Sequence, residues 1–252
     1  MKRMVLLGIV LSLGLMVSGL SAITIDEVID KNIKAKGGQD KFDSIETIRF
    51  KGISRMAGME VPVTVLIKKP FKYLSESVVQ GIKMKQVFDG DTAWMQMGDQ
   101  PPMVMPDAQA RLMKENSNLE GMLLNAKKKG YSVELVGTDV VDSVSAYHLK
   151  ILQPKKHISH VYIDASTFLE FHVITQGEIE GSEFSTSMHL DNYKDVDGVK
   201  MAHSITMEME QLGTITLDYD TIEFNVEIDD SVFAYPGVSA TQDKPETESE
   251  SE

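Results

Sequence analysis

The stretch from Val61 to Ile67, read as VPVTVLI, carries an apolar side chain at every second position. Successive side chains of a strand point to opposite faces of a sheet, so this spacing predicts a strand with one apolar face. The stretch from Ile82 to Phe88, IKMKQVF, has the same period, with Ile82, Met84 and Phe88 on one face. These two segments therefore predict an antiparallel sheet with one apolar face.

The alternation continues beyond these two segments to about residue 226. Turn residues such as Pro70, Gly81 and Asp89-Gly90 interrupt it at the short intervals expected of hairpins. Further strands are predicted at 131–136, 146–152, 160–164, 168–175, 184–193, 200–209, 214–219 and 222–226. Roughly a dozen strands that neighbour each other in sequence predict either a sandwich or a curled barrel whose open side is covered by helices.

Two regions have the pattern of helices. Thr24 and Glu27 form a capping-box pair, and apolar residues at helical spacing follow until Gly37 and Gly38. Between Pro106 and Gly130, two apolar clusters predict two short helices, which we interpret as a lid over the sheet.

The two ends of the chain differ from this core. Residues 1–22 have Lys2 and Arg3, an apolar run and small residues, which is typical of a cleaved export signal. We therefore expect a soluble periplasmic protein whose single domain spans 23–236, followed by a disordered acidic tail at 237–252. The chain has no cysteine, so we expect no lipid anchor of the bacterial lipoprotein type.

Charge and motifs exclude several classes of function. The net charge is −13, and it becomes −15 without Lys2 and Arg3, which argues against nucleic acid as a partner. We find no nucleophile with a base, no paired catalytic carboxylates and no phosphate-binding glycine loop. His157 and His160 would point to opposite faces of a strand, so we assign no metal site to them. We therefore expect neither an enzyme nor a cofactor.

Four segments have a recognisable pattern: the hairpin IKKPFKY at 67–73, the strand FDGDTAW at 88–94, and the later segments DGVKMAHSI at 197–205 and IDDSVF at 228–233. In these segments the chain resembles the outer-membrane lipoprotein-sorting (LolA-like) proteins. The resemblance implies a mainly β half-open antiparallel barrel around an apolar cavity, covered by an N-terminal helix and a short helical lid. It also implies transport of lipid chains through the periplasm, with receptor proteins at the inner or outer membrane.

The expected cavity lining combines the apolar strand faces with aromatic and methionine side chains. It comprises Val63, Val65, Ile67, Phe71, Tyr73, Met84, Phe88, Trp94, Met95, Met97 and Met207. Flexible thioethers suit variable acyl chains, although core packing or a Cu(I) site would use the same residues. The aromatic side chains could equally belong to a structural core.

The expected lid and gate residues are Lys69, Leu112, Met113 and Met122. Lys69 stands where the resembled carriers have an arginine that holds the lid closed. Because lysine cannot make a planar bidentate contact, their opening mechanism should not transfer unchanged.

The sequence thus predicts a monomeric carrier for lipid or lipoprotein acyl chains, acting in lipoprotein sorting or envelope lipid trafficking. The first alternative is a sensor or scaffold module that binds a protein partner. The second is Cu(I) binding by the methionine pairs.

Overall fold

The computed structural model describes residues 23–236, apart from 155–156, 180 and 211–212. The predicted export signal and acidic tail lie outside these residues. No helix in the described part of the chain is long and apolar enough to cross a bilayer.

The chain begins with two helices, α1 (Ile25–Ala35) and α2 (Gln39–Asp43). The predicted capping box starts α1: the backbone N–H of Thr24 donates to the Glu27 carboxylate over 2.7 Å, and Thr24 Oγ1 accepts from the Glu27 N–H over 3.3 Å. The buried side of α1 carries Val28 and Asn32, and the Asn32 amide donates to the Phe168 carbonyl over 2.8 Å. This hydrogen bond connects α1 to a segment 136 residues later in the chain.

Within the described residues, thirteen strands and one further α-helix follow. They are β1 (Thr47–Met56), β2 (Met59–Lys68), β3 (Lys72–Val79), β4 (Ile82–Phe88), β5 (Ala93–Met97), β6 (Met103–Val104), α3 (Asp107–Asn116), β7 (Ser132–Val141), β8 (Val144–Leu152), β9 (Ile158–Asp164), β10 (Glu170–Ile179), β11 (Ser182–Val196), β12 (Val199–Met209) and β13 (Gly213–Phe224). A short 3₁₀ helix at Asp230–Val232 ends the described fold.

All thirteen strands form one open antiparallel sheet, in the order β6-β5-β4-β3-β2-β1-β13-β12-β11-β10-β9-β8-β7. Each half is a meander of sequence neighbours, and the pairing of β1 with β13 joins the two halves. The outermost strands, β6 and β7, do not pair with each other, so the sheet stays open. This architecture confirms the predicted half-open barrel.

Two layers of chain cover the sheet. The face on which α1 and α2 pack is termed the inner face; there Val28 joins Leu149 and Val161, and Phe42 joins the buried side chains of β1 and β2. On the opposite, outer face, the C-terminal segment brings Ile228 and Phe233 against Leu74, Val87 and Trp94. The core therefore lies on both sides of the N-terminal half of the sheet.

The predicted lid has one helix, not two. Helix α3 lies within the first predicted region, but residues 119–130 form a succession of turns. Gly121 and Asn125 there have φ angles of 64° and 56°, in the left-handed region that a right-handed helix excludes. The second predicted helix was therefore wrong, although its apolar residues Leu123 and Leu124 are buried as expected of a covering segment.

The junction of the two halves requires a glycine in β1. A Cβ atom at Gly52 would lie 2.0 Å from the carbonyl oxygen of Asp218 in β13 and 2.7 Å from the Tyr219 Cα. We expect Gly52→Ala to lower the free energy of unfolding by about 1–3 kcal/mol, because backbone atoms must move apart at a bulge in the ladder. Urea denaturation would measure the change.

The matched control is Ser54→Ala, two residues along the same strand and on the same face. It removes atoms instead of adding them, so it should shift the unfolding midpoint much less. Equal stabilities for the two variants would contradict a close backbone approach at Gly52.

Candidate functional site

The strand register gathers apolar side chains into continuous rows on the inner face. One row runs across four strands through Met207, Ile215, Met56 and Met59, which are successive ladder partners. Directly paired residues share a face, with Cα atoms about 5 Å apart, so this row is an unbroken apolar strip.

A second row crosses the N-terminal half of the sheet. It runs through Val63, Ser77, Met84 and Met97 on β2 to β5. Serine is the single polar side chain in this row, and it is small enough to leave the neighbouring thioethers in contact with a ligand. The two rows thus form most of one apolar surface.

Burial decreases along this surface. Val63, Val65 and Ile67 are buried near α2, Met84 and Met95 are half-buried, and Met97 is 38% exposed. We name the uncovered part the methionine surface. Its members are Met56, Met59, Val61, Ile82, Met84, Met95, Met97, Met207, Ile215 and Leu217. It offers a hydrophobic ligand a broad, adaptable contact area.

The structure brings together most of the residues predicted to line the cavity. The inner face carries Val63, Val65, Ile67, Tyr73, Met84, Phe88, Met95, Met97 and Met207. Tyr73 lies deep in this face, where burial raises the pKa of its hydroxyl.

Trp94 is placed elsewhere than expected. It lies on the outer face, 2% exposed, and its indole N–H donates to the Phe233 carbonyl over 3.1 Å. Ala93 and Met95 alternate with it and point inward, so the cavity assignment of Trp94 does not fit its position. Its role is the structural one, because its N–H finds the partner that a buried indole needs.

A separate cleft of about 570 Å³ opens beside the turn between β2 and β3. Its apolar walls include Phe71, Leu119 and Tyr131, and α3 forms one side. We name it the cationic cleft because, among its described lining side chains, four are cationic and one is a carboxylate. These are Lys69, Arg111, Lys114 and Lys129, with Glu120.

Two of these cations, Lys129 and Lys69, are already engaged within the protein. Lys129 Nζ lies 3.0 Å from the Glu120 carboxylate and also donates to the Gly121 and Leu124 carbonyls. Burial lowers the pKa of Lys129. Burial acts to raise the pKa of Glu120, but the hydrogen bonds from Lys129 and Asn125 and the nearby lysine charges together lower it. This pair therefore holds the wall of the cleft together.

The other cations leave charge available to a ligand. Lys114 Nζ lies 4.9 Å from the centre of the Phe71 ring, and Arg111 is exposed without an ion pair to any described residue. In a chain of net charge −13, this local excess of positive charge favours an anionic group. The sequence did not single out Arg111 and Lys114, because their approach to Phe71 depends on the fold.

The predicted lid residues have different positions. Met113 of α3 packs against Phe88 and Ala93 on the inner face. Met122 is half-buried near α1, and its sulfur lies 3.7 Å from the Gln153 amide nitrogen. The side chain of Leu112 lies outside the described part of the structure. Helix α3 is thus the element positioned to cover the inner face.

Lys69 holds α2 instead of α3. Its ammonium donates to the carbonyls of Phe42 and Asp43, over 3.3 and 2.9 Å, at the end of α2. This is where a cation also interacts favourably with the helix dipole. Lys69 therefore fixes the covering helix nearest the buried end of the inner face.

No protein-family model matches the chain, and no curated protein sequence matches it. Solved structures do match. A DUF1329 family protein from Desulfovibrio piger superposes with a TM-score of 0.56 at 14% identity, over 84% of this chain and 97% of the other. A LolA superfamily protein from Nitrosomonas europaea gives a TM-score of 0.55 at 14% identity, over 84% and 98%.

A third structure is a domain from Vibrio parahaemolyticus named for outer membrane lipoprotein sorting. It gives a TM-score of 0.52 at 12% identity, over 82% of this chain and 94% of the other. The chain therefore has the LolA-like fold over most of its length, which confirms the fold that the sequence resemblance implied.

The position of Lys69 leads to a test of local stability. We expect Lys69→Met to speed amide exchange at Ser44 and Ile45 about tenfold, because α2 loses two charge-assisted hydrogen bonds at its end. Hydrogen–deuterium exchange with peptide-level mass spectrometry would measure it.

The matched control is Lys68→Met. Lys68 donates to the Ile228 carbonyl and pairs with Asp230, so its removal should speed exchange in the C-terminal segment and leave α2 unchanged. If both variants loosened the same segment, Lys69 would not be a specific anchor of α2.

Proposed function

We propose that this protein is a periplasmic carrier for a hydrophobic ligand, namely lipid or the acyl chains of a lipoprotein. The observation that carries the proposal is the methionine surface, a broad apolar area that the helices leave uncovered. Its place on the inner face of a LolA-like fold supports a role in lipoprotein sorting or envelope lipid trafficking.

The binding step needs no chemistry beyond desolvation. Each CH₂ group removed from water contributes about 0.8 kcal/mol, so a single acyl chain along the methionine rows would supply substantial binding energy. Methionine side chains can adapt to chains of different length and saturation. Such a carrier makes and breaks no covalent bond, which agrees with the lack of a recognisable catalytic set in the sequence.

The cationic cleft extends the proposal to the polar end of the ligand. Arg111 and Lys114 would contact a carboxylate or phosphate head group, while Phe71 and Leu119 would contact the adjoining carbon atoms. One side of helix α3 places Met113 against the inner face, and another side lines the cleft with Arg111 and Lys114. Displacement of this helix would therefore change both sites.

One observation favours a second candidate function, binding of a protein partner. The edge strands expose large apolar side chains: Val104 of β6 is 58% exposed and Val140 of β7 is 76% exposed. An exposed sheet edge can accept an additional strand from another protein. Under this alternative, the methionine surface would not bind lipid.

A charge on the methionine surface should separate these candidates. We expect Met97→Glu to weaken binding of a fluorescent fatty-acid probe about tenfold or more, because the carboxylate must be desolvated against the acyl chain. Fluorescence titration of the full chain would measure it, with circular dichroism to verify folding.

The matched control is Val78→Glu. Val78 is 47% exposed on β3, two strands away in the same half of the sheet, but points to the outer face, so the same new charge should leave probe binding unchanged. Equal loss in both variants, or no probe binding by the wild-type protein, would reject the methionine surface as a lipid site. The edge-strand alternative would then be preferred.

The cleft can be tested by comparing two ligands that differ only at the head. The wild-type protein should bind a fatty acid more tightly than the alcohol of equal chain length. We expect Arg111→Glu combined with Lys114→Glu to remove this preference, a change of about three- to tenfold in the affinity ratio.

Lys127→Glu combined with Lys128→Glu is the control for overall charge. Both lysines are exposed, do not line the cleft, and alter the net charge by the same amount. A similar loss of preference in both double variants would point to the general field of the protein and would reject a specific head-group contact.

A further inference from the structure

The outer face of the C-terminal half carries an aligned group of histidines. His148, His160, His172 and His189 lie on β8, β9, β10 and β11, and their neighbours in sequence point inward to the core. Tyr162 stacks on His148 and on His172, with centroid separations of 4.6 and 5.5 Å. Nothing in the proposed carrier function uses this face.

Two of these rings stand unusually close together. His172 and His189 are ladder partners, their centroids are 4.0 Å apart, and their planes differ by 16°. Asp142, from the tight turn between β7 and β8, reaches the same place with its carboxylate 3.9 Å from His189 Nδ1. One donor atom from each of these three side chains lies within 4.8 Å of the other two.

The hydrogen bonding of His172 leaves one ring nitrogen available to a metal ion. Its Nε2 lies 2.8 Å from Ser187 Oγ, while its Nδ1 is buried without any hydrogen-bond partner. If Nε2 carries the proton and donates to Ser187, the lone pair of Nδ1 is free to bind a metal ion. Metal-ligating histidines commonly use the second ring nitrogen in this way to fix orientation and tautomer.

The site also has the charge that a cation requires. Asp142 contributes one carboxylate, and Glu208 is the ladder partner of Ser187, on the same face and one strand farther. No lysine or arginine is paired with Asp142 in the described part of the chain. Imidazole nitrogens with one carboxylate suit zinc and similar metals, whereas calcium and magnesium prefer oxygen donors and Cu(I) prefers sulfur.

We propose that His172, His189 and Asp142 bind a divalent transition metal of the zinc type on the outer face, with one position left for water. Metal–ligand bonds of about 2.1 Å would bring the donor atoms to about 3.4 Å from each other. Because an imidazole nitrogen binds a metal in the plane of its ring, closure also requires the stacked rings to turn out of parallel. Asp142 is exposed in a turn and the side chain of His189 is 36% exposed, so both can move toward His172.

The metal would link the β7–β8 turn to β10 and β11. It would thereby tie together strands that are separated in the sheet by β9. Since the site lies opposite the inner face, its failure and the failure of the lipid proposal are independent.

The experiment uses the full chain without an affinity tag, freed of metal by a chelator and titrated with Zn²⁺ by isothermal calorimetry. We expect one strong site in the wild-type protein and an increase in Tm of about 3 °C or more at saturation. Co²⁺ can replace Zn²⁺ in a parallel titration, and its visible absorption reports four-coordinate binding through imidazole.

The site variants are His172→Ala and Asp142→Asn, each expected to weaken the strong site at least about tenfold. Asp142→Asn changes an exposed turn, so it tests the proposal even if loss of the buried imidazole impairs folding. His160→Gln is the control: this histidine contacts His148 on the same face but is outside the three-residue group.

Loss of the strong site in both variants with retention in His160→Gln would support the proposal. Weak binding by other carboxylates of this acidic chain would persist equally in every variant. A wild-type titration with only such weak binding, or a strong site that survives both variants, would overturn it.

Discussion

The pairing of β1 with β13 is the contact on which the rest of the structure depends. Each half of the sheet is a meander that its own hairpins can form, but only this ladder makes the two halves one surface. The close approach of Gly52 to the backbone of Asp218 shows how tightly the junction is packed. The row from Met207 through Ile215 to Met56 crosses this junction, so the methionine surface exists only when the ladder is formed.

The period of two gives the two faces of the same strands different chemistry. In β10, Val173 contributes to the core under α1, while the adjacent His172 points to the outer face. In β5, Met95 faces inward and Trp94 outward, where the C-terminal segment covers it. A shift of register by one residue would exchange these environments, so burial of the apolar face specifies both faces at once.

Coverage of the inner face is uneven, and this unevenness has consequences for function. Near α2 the face is covered by Phe42, which packs with side chains of β1 and β2 in one buried cluster. Toward the hairpin ends, thioethers such as Met97 are partly exposed to solvent. A surface that contributes to the stability of the fold at one end and stays open at the other can bind an apolar ligand without unfolding its core.

The sequence by itself determined the strands, their apolar faces and the capped first helix, because alternation and capping are local properties of the chain. Residues such as Val63, Val65 and Met84 were therefore placed on one face correctly. Only the tertiary structure decided that Trp94 faces outward beneath Phe233, that Arg111 and Lys114 meet Phe71, and that Asp142 reaches His172 and His189. These contacts join residues far apart in the chain, and their geometry follows from strand order and packing, which no local pattern encodes.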